Sequence, residues 1–361
     1  MNSLRVAEWA ERSPARITTV DLGAYNTRFG LVESGRLCNV QRSFTSPSAD
    51  ITPSDAFRSR LTRRVRTDKP DAVVIAAAGP VSDAGVSFTN VDLTVVGAEV
   101  RQIVADNCGE VPVIIANDGL CGAAGLITLP DELLWQFNGV PTKLWEFDEI
   151  TVVILGSGMA VAKLTRVDGV WTVKATELGH LWLRRGMSGY VDQWLYNAFG
   201  GAVELEHMVS GLGLVNGAQA LIDSTPHGME AKVLLDQVPS HDQARFIAVQ
   251  SQLTDGHPLF RDAMSNFRRA LGFAISALGM DLTPAVIGGR PVSANLDYLL
   301  EGVEGGVGPL QAAMRDRRNL GQVATTMAAY AIQQDETDAD CNELNLLGAG
   351  AIGLQALHEV A

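Results

Sequence analysis

Residues 17–32 read Ile17-Thr18-Thr19-Val20-Asp21-Leu22-Gly23-Ala24-Tyr25-Asn26-Thr27-Arg28-Phe29-Gly30-Leu31-Val32. β-Branched and apolar residues flank a short polar loop that carries a glycine, which is the pattern of a β-hairpin. The spacing predicts strands over 17–22 and 28–32 joined by a loop at 23–27, then a Ser34-Gly35 turn and a third strand over 37–41. The same order recurs further on: a strand over 151–155, the loop Gly156-Ser157-Gly158, a strand over 160–164, an Asp168-Gly169 turn and a strand over 170–174. The chain therefore contains a weak internal duplication. Each three-stranded meander gives way to helical patterns with buried strands between them. Core strands are expected at 72–78 and 111–116 with a helix at 96–107 between them. Helices are then expected at 190–199, 217–223, 242–253 and 260–278, a buried strand at 285–287, and a closing apolar helix at 348–358.

With 361 residues and 47% apolar content the chain can bury a substantial core, which excludes disorder and favours two domains. The formal net charge of -13 repels nucleic acid and acidic membrane surfaces, so neither is expected as a partner. It repels a polyphosphate as well. Any nucleotide site must then be built locally, from backbone N–H groups, a helix N-terminus, a metal ion and a few placed cations. Cys38, Cys108, Cys121 and Cys341 form no C-x-x-C pair, which fits neither a disulfide framework nor a zinc site and suits a reducing compartment. The first fifteen residues lack an apolar signal core, and no stretch is long enough to span a membrane, so a cytoplasmic location is expected.

Several residue groups bear chemistry. Asn117-Asp118 follows a buried strand, so the carboxylate is presented at a strand C-terminus, where active-site clefts of α/β folds lie; Asn-Asp-Gly is equally a good turn sequence. Glu177-Leu178-Gly179-His180 pairs a carboxylate that accepts hydroxyl hydrogens with an imidazole that donates or accepts, although a histidine beside an apolar run is often a core residue. Read alone, Asp21 caps a β-turn as well as it binds anything, Gly156-Ser157-Gly158 and Gly288-Gly289 are ordinary turns, and Glu206 is a solvated helix carboxylate. Arg58, Arg60, Arg63, Arg64 and Arg66 lie on a segment whose Phe57, Leu61 and Val65 recur at helical spacing, which reads as a solvated helix face.

Taken together these segments resemble the bacterial-type glucokinases. Asp21-Leu22-Gly23-Ala24-Tyr25-Asn26-Thr27-Arg28 is similar to that family's first phosphate loop, Asp-x-Gly-Gly-Thr-Asn-x-Arg, with Ala24 and Tyr25 departing from it. Gly156-Ser157-Gly158-Met159-Ala160 is similar to the second, Gly-Thr-Gly-x-Gly, with Ala160 in place of the last glycine. Glu177-x-Gly179-His180 resembles the family's Glu-x-Gly-His. The stretch Glu206-His207-Met208-Val209-Ser210-Gly211-Leu212-Gly213-Leu214-Val215-Asn216 is the most specific match. The zinc-binding cysteine cluster of a related repressor and kinase family is absent from the sequence.

The resemblance implies a two-domain α/β fold of the actin-like and ribonuclease H-like sugar kinases, two βββαβα halves around a cleft. An extension at 1–16 would precede a small domain at 17–120 plus 345–361 and a large domain at 121–344. It implies ATP and Mg²⁺ as cofactors, glucose or a close hexose as substrate with transfer to the 6-hydroxyl, and a homodimer as in many relatives. Asp118 would be the general base, and Asn90, Asn117, Asp118, Glu177, His180 and Glu206 would bind the sugar. Asp21, Gly23, Asn26, Thr27, Arg28, Gly156, Ser157, Gly158, Gly288 and Gly289 would line the nucleotide, with Asp21 reaching Mg²⁺ through water. All the polar residues wanted around a sugar are present, and the departures lie on the phosphate side. This leaves two rival expectations: a sugar-binding paralogue or sensor with weak or lost transfer, and a kinase using another donor or another hexose.

Overall fold

The structure is a computed structural model. It describes residues 3–6, 14–23, 26–45, 51–79, 81–82, 84–88, 92–138, 142–182, 190–226, 228–279, 283–300, 308–315, 327–333 and 343–360. The chain divides into two compact units, the first formed by residues 1–131, 162–175 and 334–361, the second by 132–161 and 176–333.

In the first unit β1 (Ser3–Val6) is followed by the expected meander, β2 (Arg16–Leu22), β3 (Asn26–Glu33) and β4 (Arg36–Phe44). Helix α1 (Pro53–Asp68) then leads to β5 (Ala72–Ala77). A small antiparallel sheet follows, β6 (Val81–Ser82), β7 (Gly85–Ser87) and β8 (Thr94–Val96), and after it come α2 (Gly97–Cys108), β9 (Val113–Asn117) and α3 (Asp118–Leu126). The main sheet has the order β4-β3-β2-β5-β9, antiparallel through the meander and parallel from β2 to β9. Its register pairs Leu22 with Ala77 and Ala77 with Asn117, so Asp21 and Asn117 both lie at the C-terminal ends of parallel strands.

The physical basis of this unit is burial on both faces. Every residue of β5 is buried, as a parallel central strand requires. Phe57, Leu61 and Val65 of α1 and Val100 and Val104 of α2 cover one face together with Leu22, Phe29 and Ile75. Each such side chain contributes roughly 1.5–3 kcal/mol. On the arginine-rich helix the expectation of a solvated face is only partly met. Arg64 is 6% exposed and pairs with Asp68, 3% exposed, at 2.6 Å, while Thr18 donates to the same carboxylate at 2.8 Å.

The second unit holds β10 (Leu134–Gln136), β11 (Glu149–Leu155), α4 (Tyr190–Ala198), α5 (Gly211–Ser224), α6 (Gly228–Asp236), α7 (Gln243–Gln252) and α8 (Pro258–Leu278). Strand β12 (Met159–Val167) begins in this unit and continues into the first, which also holds nearly all of β13 (Val170–Thr176). Strand β14 (Ala285–Gly288) and the short helices α9 (Arg290–Ser293), α10 (Leu296–Leu300) and α11 (Pro309–Arg315) precede β15 (Ala329–Ile332). β14 runs parallel to both β11 and β15, and β10 lies antiparallel on β15. Helix α8, the longest here, buries Phe260, Phe267, Leu271 and Ile275 in one core with α5 and the sheet. The closing helix α12 (Leu344–Val360) returns to the first unit and packs on α3, β2 and β5.

Three boundaries refine the sequence expectation for stated reasons. Helix α5 begins at Gly211 instead of 217, because the Ser210 hydroxyl accepts the Gly213 N–H at 2.9 Å and so caps a glycine-rich first turn. Asp118 follows the end of β9 as expected, and where a turn was the alternative it opens α3, with Asn117 as its cap. Residues 3–6, expected as an unmatched extension, form a strand antiparallel to β13.

Candidate active site

Two clusters of the expected residues form, one in each unit. In the first, Asn117 Oδ1 accepts the N–H groups of Gly119 and Leu120 at 2.9 and 3.3 Å, and its amide donates to the Gly79 carbonyl at 3.2 Å. This fixes the junction from β9 into α3. Asp118 follows as the first helical residue, partly buried, and its Oδ1 accepts the Gly119 N–H at 2.8 Å. Loss of hydration raises its pKa, the nearby Asp21 charge raises it further, and backbone N–H groups pull the other way; the balance stands at about 7.

Asp21 is 6% exposed. Its Oδ2 accepts from Arg28 Nη1 at 2.5 Å and its Oδ1 accepts from the Asn345 amide at 3.0 Å. Burial raises its pKa, and Arg28 opposes the rise. Arg28 also lies 3.4 Å from Glu343, whose other oxygen accepts from Arg42 at 2.5 Å. The loop itself is tied off by Gly23 N–H donating to the Asn26 carbonyl at 3.0 Å and by the Thr45 hydroxyl donating to the Gly23 carbonyl at 2.7 Å. Thr27 is 2% exposed, and its hydroxyl meets that of Thr45 at 3.0 Å. Asn26 is exposed. Ala24, Tyr25 and Asn90 lie outside the described residues.

The second cluster is built on the turn at Gly156-Ser157-Gly158. The Gly156 N–H donates to the Gly158 carbonyl at 2.9 Å, and the turn's carbonyls at 156 and 157 accept the N–H groups of Gly211 and Leu212 at 2.8 and 3.2 Å. The first donors of α5 are thus satisfied by the turn, whose exposed Gly156 and Ser157 remain the outward surface. Two glycines here have close neighbours, one backbone and one side chain. A Cβ at Gly179 would lie 2.4 Å from the Met159 carbonyl, and one at Gly158 would lie 2.9 Å from Glu206 Oε2. That same Oε2 accepts the Met159 N–H at 3.3 Å. Glu206 is thereby seated behind the turn.

His180 closes a short helical turn from Leu178 to His180, with Glu177 at its start. Its Nδ1 lies 2.7 Å from Glu204 Oε2 and 3.7 Å from Glu206 Oε1, and its Nε2 lies 3.6 Å from Glu177 Oε2. The bond to Glu204 is the main cause of its raised pKa; the other carboxylates add to it and burial opposes it. Gly288 is buried at the end of β14, and Gly289, with φ +94, caps α9. Among the described residues, His180, Glu204 and Glu206 are also close enough to meet one cation.

A family profile described as Glucokinase matches residues 19–289. The chain belongs to the glucokinase family. It is 26% identical over 344 residues to the glucokinase of Erwinia tasmaniensis, an alignment covering 94% of this chain and 97% of that one. Its fold is similar to the glucokinase of Balamuthia mandrillaris solved in complex with glucose, with TM-score 0.73, 19% identity, and 94% of both chains covered. A ROK family glucokinase from Streptomyces griseus, solved with glucose and AMPPNP, has TM-score 0.60 at 22% identity over 94% of this chain and 99% of that one.

Within this glucokinase-family chain the clusters contain residues that the motifs did not single out. Glu204, Glu343 and Asn345 each contact an expected site residue, and Arg42 pairs with Glu343. Glu204 stands two residues before the matched Glu206, and that proximity was the one available signal. Glu343 and Asn345 precede or open α12, more than 300 positions from their partners, and carry no local pattern. No described helix is long and apolar enough to cross a membrane.

Proposed function

We propose that this chain is an ATP-dependent hexose kinase acting on glucose or a close relative, with Asp118 as general base. The observation that carries the reading is Asp118 itself. A carboxyl whose pKa stands at about 7 is ionised in a substantial fraction of molecules near neutrality, yet is basic enough to accept the proton of a sugar hydroxyl as it attacks phosphorus. Its placement at the C-terminal edge of the parallel strands, on a junction fixed by Asn117, gives it a defined geometry.

Each cluster has its own proposed role. The first supplies the proton acceptor and a phosphate-facing hairpin. The second offers Glu177, His180 and Glu206, a set that accepts and donates hydrogen bonds and so discriminates hydroxyl stereochemistry. The exposed turn at Gly156 and Ser157 and the glycine pair at 288–289 are proposed for the triphosphate and the adenosine. The donor set of the first cluster suits Mg²⁺: Asp21 and Asp118 are two hard-oxygen groups whose charges repel, and Asp21 retains lone pairs beyond those used by Arg28 and Asn345. When bound, Mg²⁺ neutralises charge on the transferring phosphates. The chain's own residues orient the sugar, hold Arg28 near the phosphate loop and take up the proton.

A coupled assay with ATP, Mg²⁺ and a hexose panel tests the proposal. Glucose turnover that falls by about 10²–10⁴ in Asp118→Ala supports it. Hexose binding by calorimetry with no turnover for any donor would favour the sensor reading, and turnover with polyphosphate or ADP would favour another donor.

A further inference from the structure

Glu204 matches no element of the motifs, yet the second cluster is organised around it. Its carboxylate accepts the backbone N–H of His207, while its own N–H donates to His207 Nδ1 at 3.0 Å. This reciprocal cap locks the Glu204 rotamer. A ring nitrogen that accepts carries no proton, so His207 holds its proton on Nε2; burial lowers its pKa and keeps it neutral. The His207 ring is itself clamped by stacking on Phe199, with centroids 3.8 Å apart. The backbones of the two segments are joined as well. Trp182 bridges Glu204, and the Leu205 N–H donates to the Leu181 carbonyl at 2.9 Å.

A carboxylate only accepts, so in the 2.7 Å contact the proton belongs to His180 Nδ1. The other nitrogen, Nε2, is then the one available to a ligand. It stands 3.6 Å from Glu177 Oε2, beyond a direct hydrogen bond, on a side chain that is 50% exposed. A hydroxyl placed there meets both Nε2 and the Glu177 carboxylate. We propose that Glu204 is a positioning residue that holds His180 in its Nδ1–H form and aims Nε2, beside Glu177, at one hydroxyl of the bound sugar. This rests on the hexose kinase reading. Without Glu204 the ring is free to rotate and to exchange tautomers, which weakens hydroxyl recognition while leaving proton transfer at Asp118 intact.

Two measurements on the full chain test this. Long-range ¹H–¹⁵N NMR of the imidazoles, with His180→Ala to assign the signal, reports which nitrogen is protonated. The wild type is expected to show the Nδ1–H form for His180, and Glu204→Ala a mixture or the Nε2–H form. Glu204→Gln, which keeps the volume and an acceptor for the cap, should lower the His180 pKa while Glu177, Glu206 and His207 remain. Calorimetry with glucose should then show Kd raised roughly 10- to 100-fold in Glu204→Ala, the range for a lost charge-assisted hydrogen bond. The kcat should stay within about threefold of wild type, as expected when only ground-state binding is lost. An Nε2–H signal in the wild type, or a folded Glu204→Ala with unchanged tautomer and unchanged glucose affinity, overturns the proposal. A wild type that binds no hexose overturns the hydroxyl at Nε2 together with the kinase reading, and the NMR result still decides whether Glu204 sets the tautomer.

Discussion

The carboxyl of Asp118, already deprived of water by burial, also feels the negative charge of Asp21, and the two effects in that order hold its pKa at about 7. Such like-charge coupling at the ends of β2 and β9, the two parallel strands that flank β5, follows from the sheet register, which aligns Leu22, Ala77 and Asn117 across one edge. The fold thus sets the acidity of the proposed base.

The first prediction concerns pH. A base must be ionised to act, so kcat/KM should fall about tenfold per unit as pH drops below about 7. Asp21→Asn removes one of the two raising influences and should move this acidic limb to lower pH, even if maximal turnover declines. A pH–rate series on both proteins checks it, and an unshifted limb would detach Asp21 from Asp118.

Stability should respond in the opposite direction. The folded-state pKa of Asp118 lies above the ordinary aspartate value of 3.8, so the unfolded chain ionises first. The contribution of the neutral acid is fully present below that value and is lost as pH rises through about 7. Asp118→Asn cannot ionise and avoids this loss. It should therefore raise Tm relative to wild type in mildly alkaline buffer and have little effect in acid, with a gain of at most about 4 kcal/mol. Equal Tm differences at both pH values would contradict the assignment.

Arg64 and Asp68 offer a test away from the site. Both are nearly fully buried, and Asp68 also accepts from Thr18. Asp68→Ala strands a buried guanidinium and should cost roughly 3–5 kcal/mol in urea unfolding. Arg64→Met combined with Asp68→Leu should recover much of that loss. A single substitution as mild as the double would show the pair to be solvated.

The two close-packed glycines should separate binding from folding. In Gly179→Ala the new Cβ meets backbone, the Met159 carbonyl at 2.4 Å, so stability should drop by about 1–3 kcal/mol. In Gly158→Ala the obstacle is the mobile end of Glu206 at 2.9 Å. Thermal stability should then change little while hexose KM rises, since Glu206 is pushed from its seat. Melting curves with paired kinetics distinguish the two outcomes.

What the sequence determined by itself was the two-meander α/β plan, the strand that carries Asp21, the turn at Gly156-Ser157-Gly158, and the grouping of Glu177 with His180, because strand alternation, turn glycines and short motif spacing are local properties of the chain. Tertiary structure alone decided which groups control those residues. Asn345 reaches Asp21 across 324 positions, Glu343 joins Arg28 to Arg42, and Glu204 accepts the hydrogen bond from His180 Nδ1. Arg64, one arginine among five, is buried because Asp68 and the Asn39 carbonyl face it. Side-chain charge and tautomer depend on burial and on partners brought together by packing, and those partners leave no periodic trace along the chain.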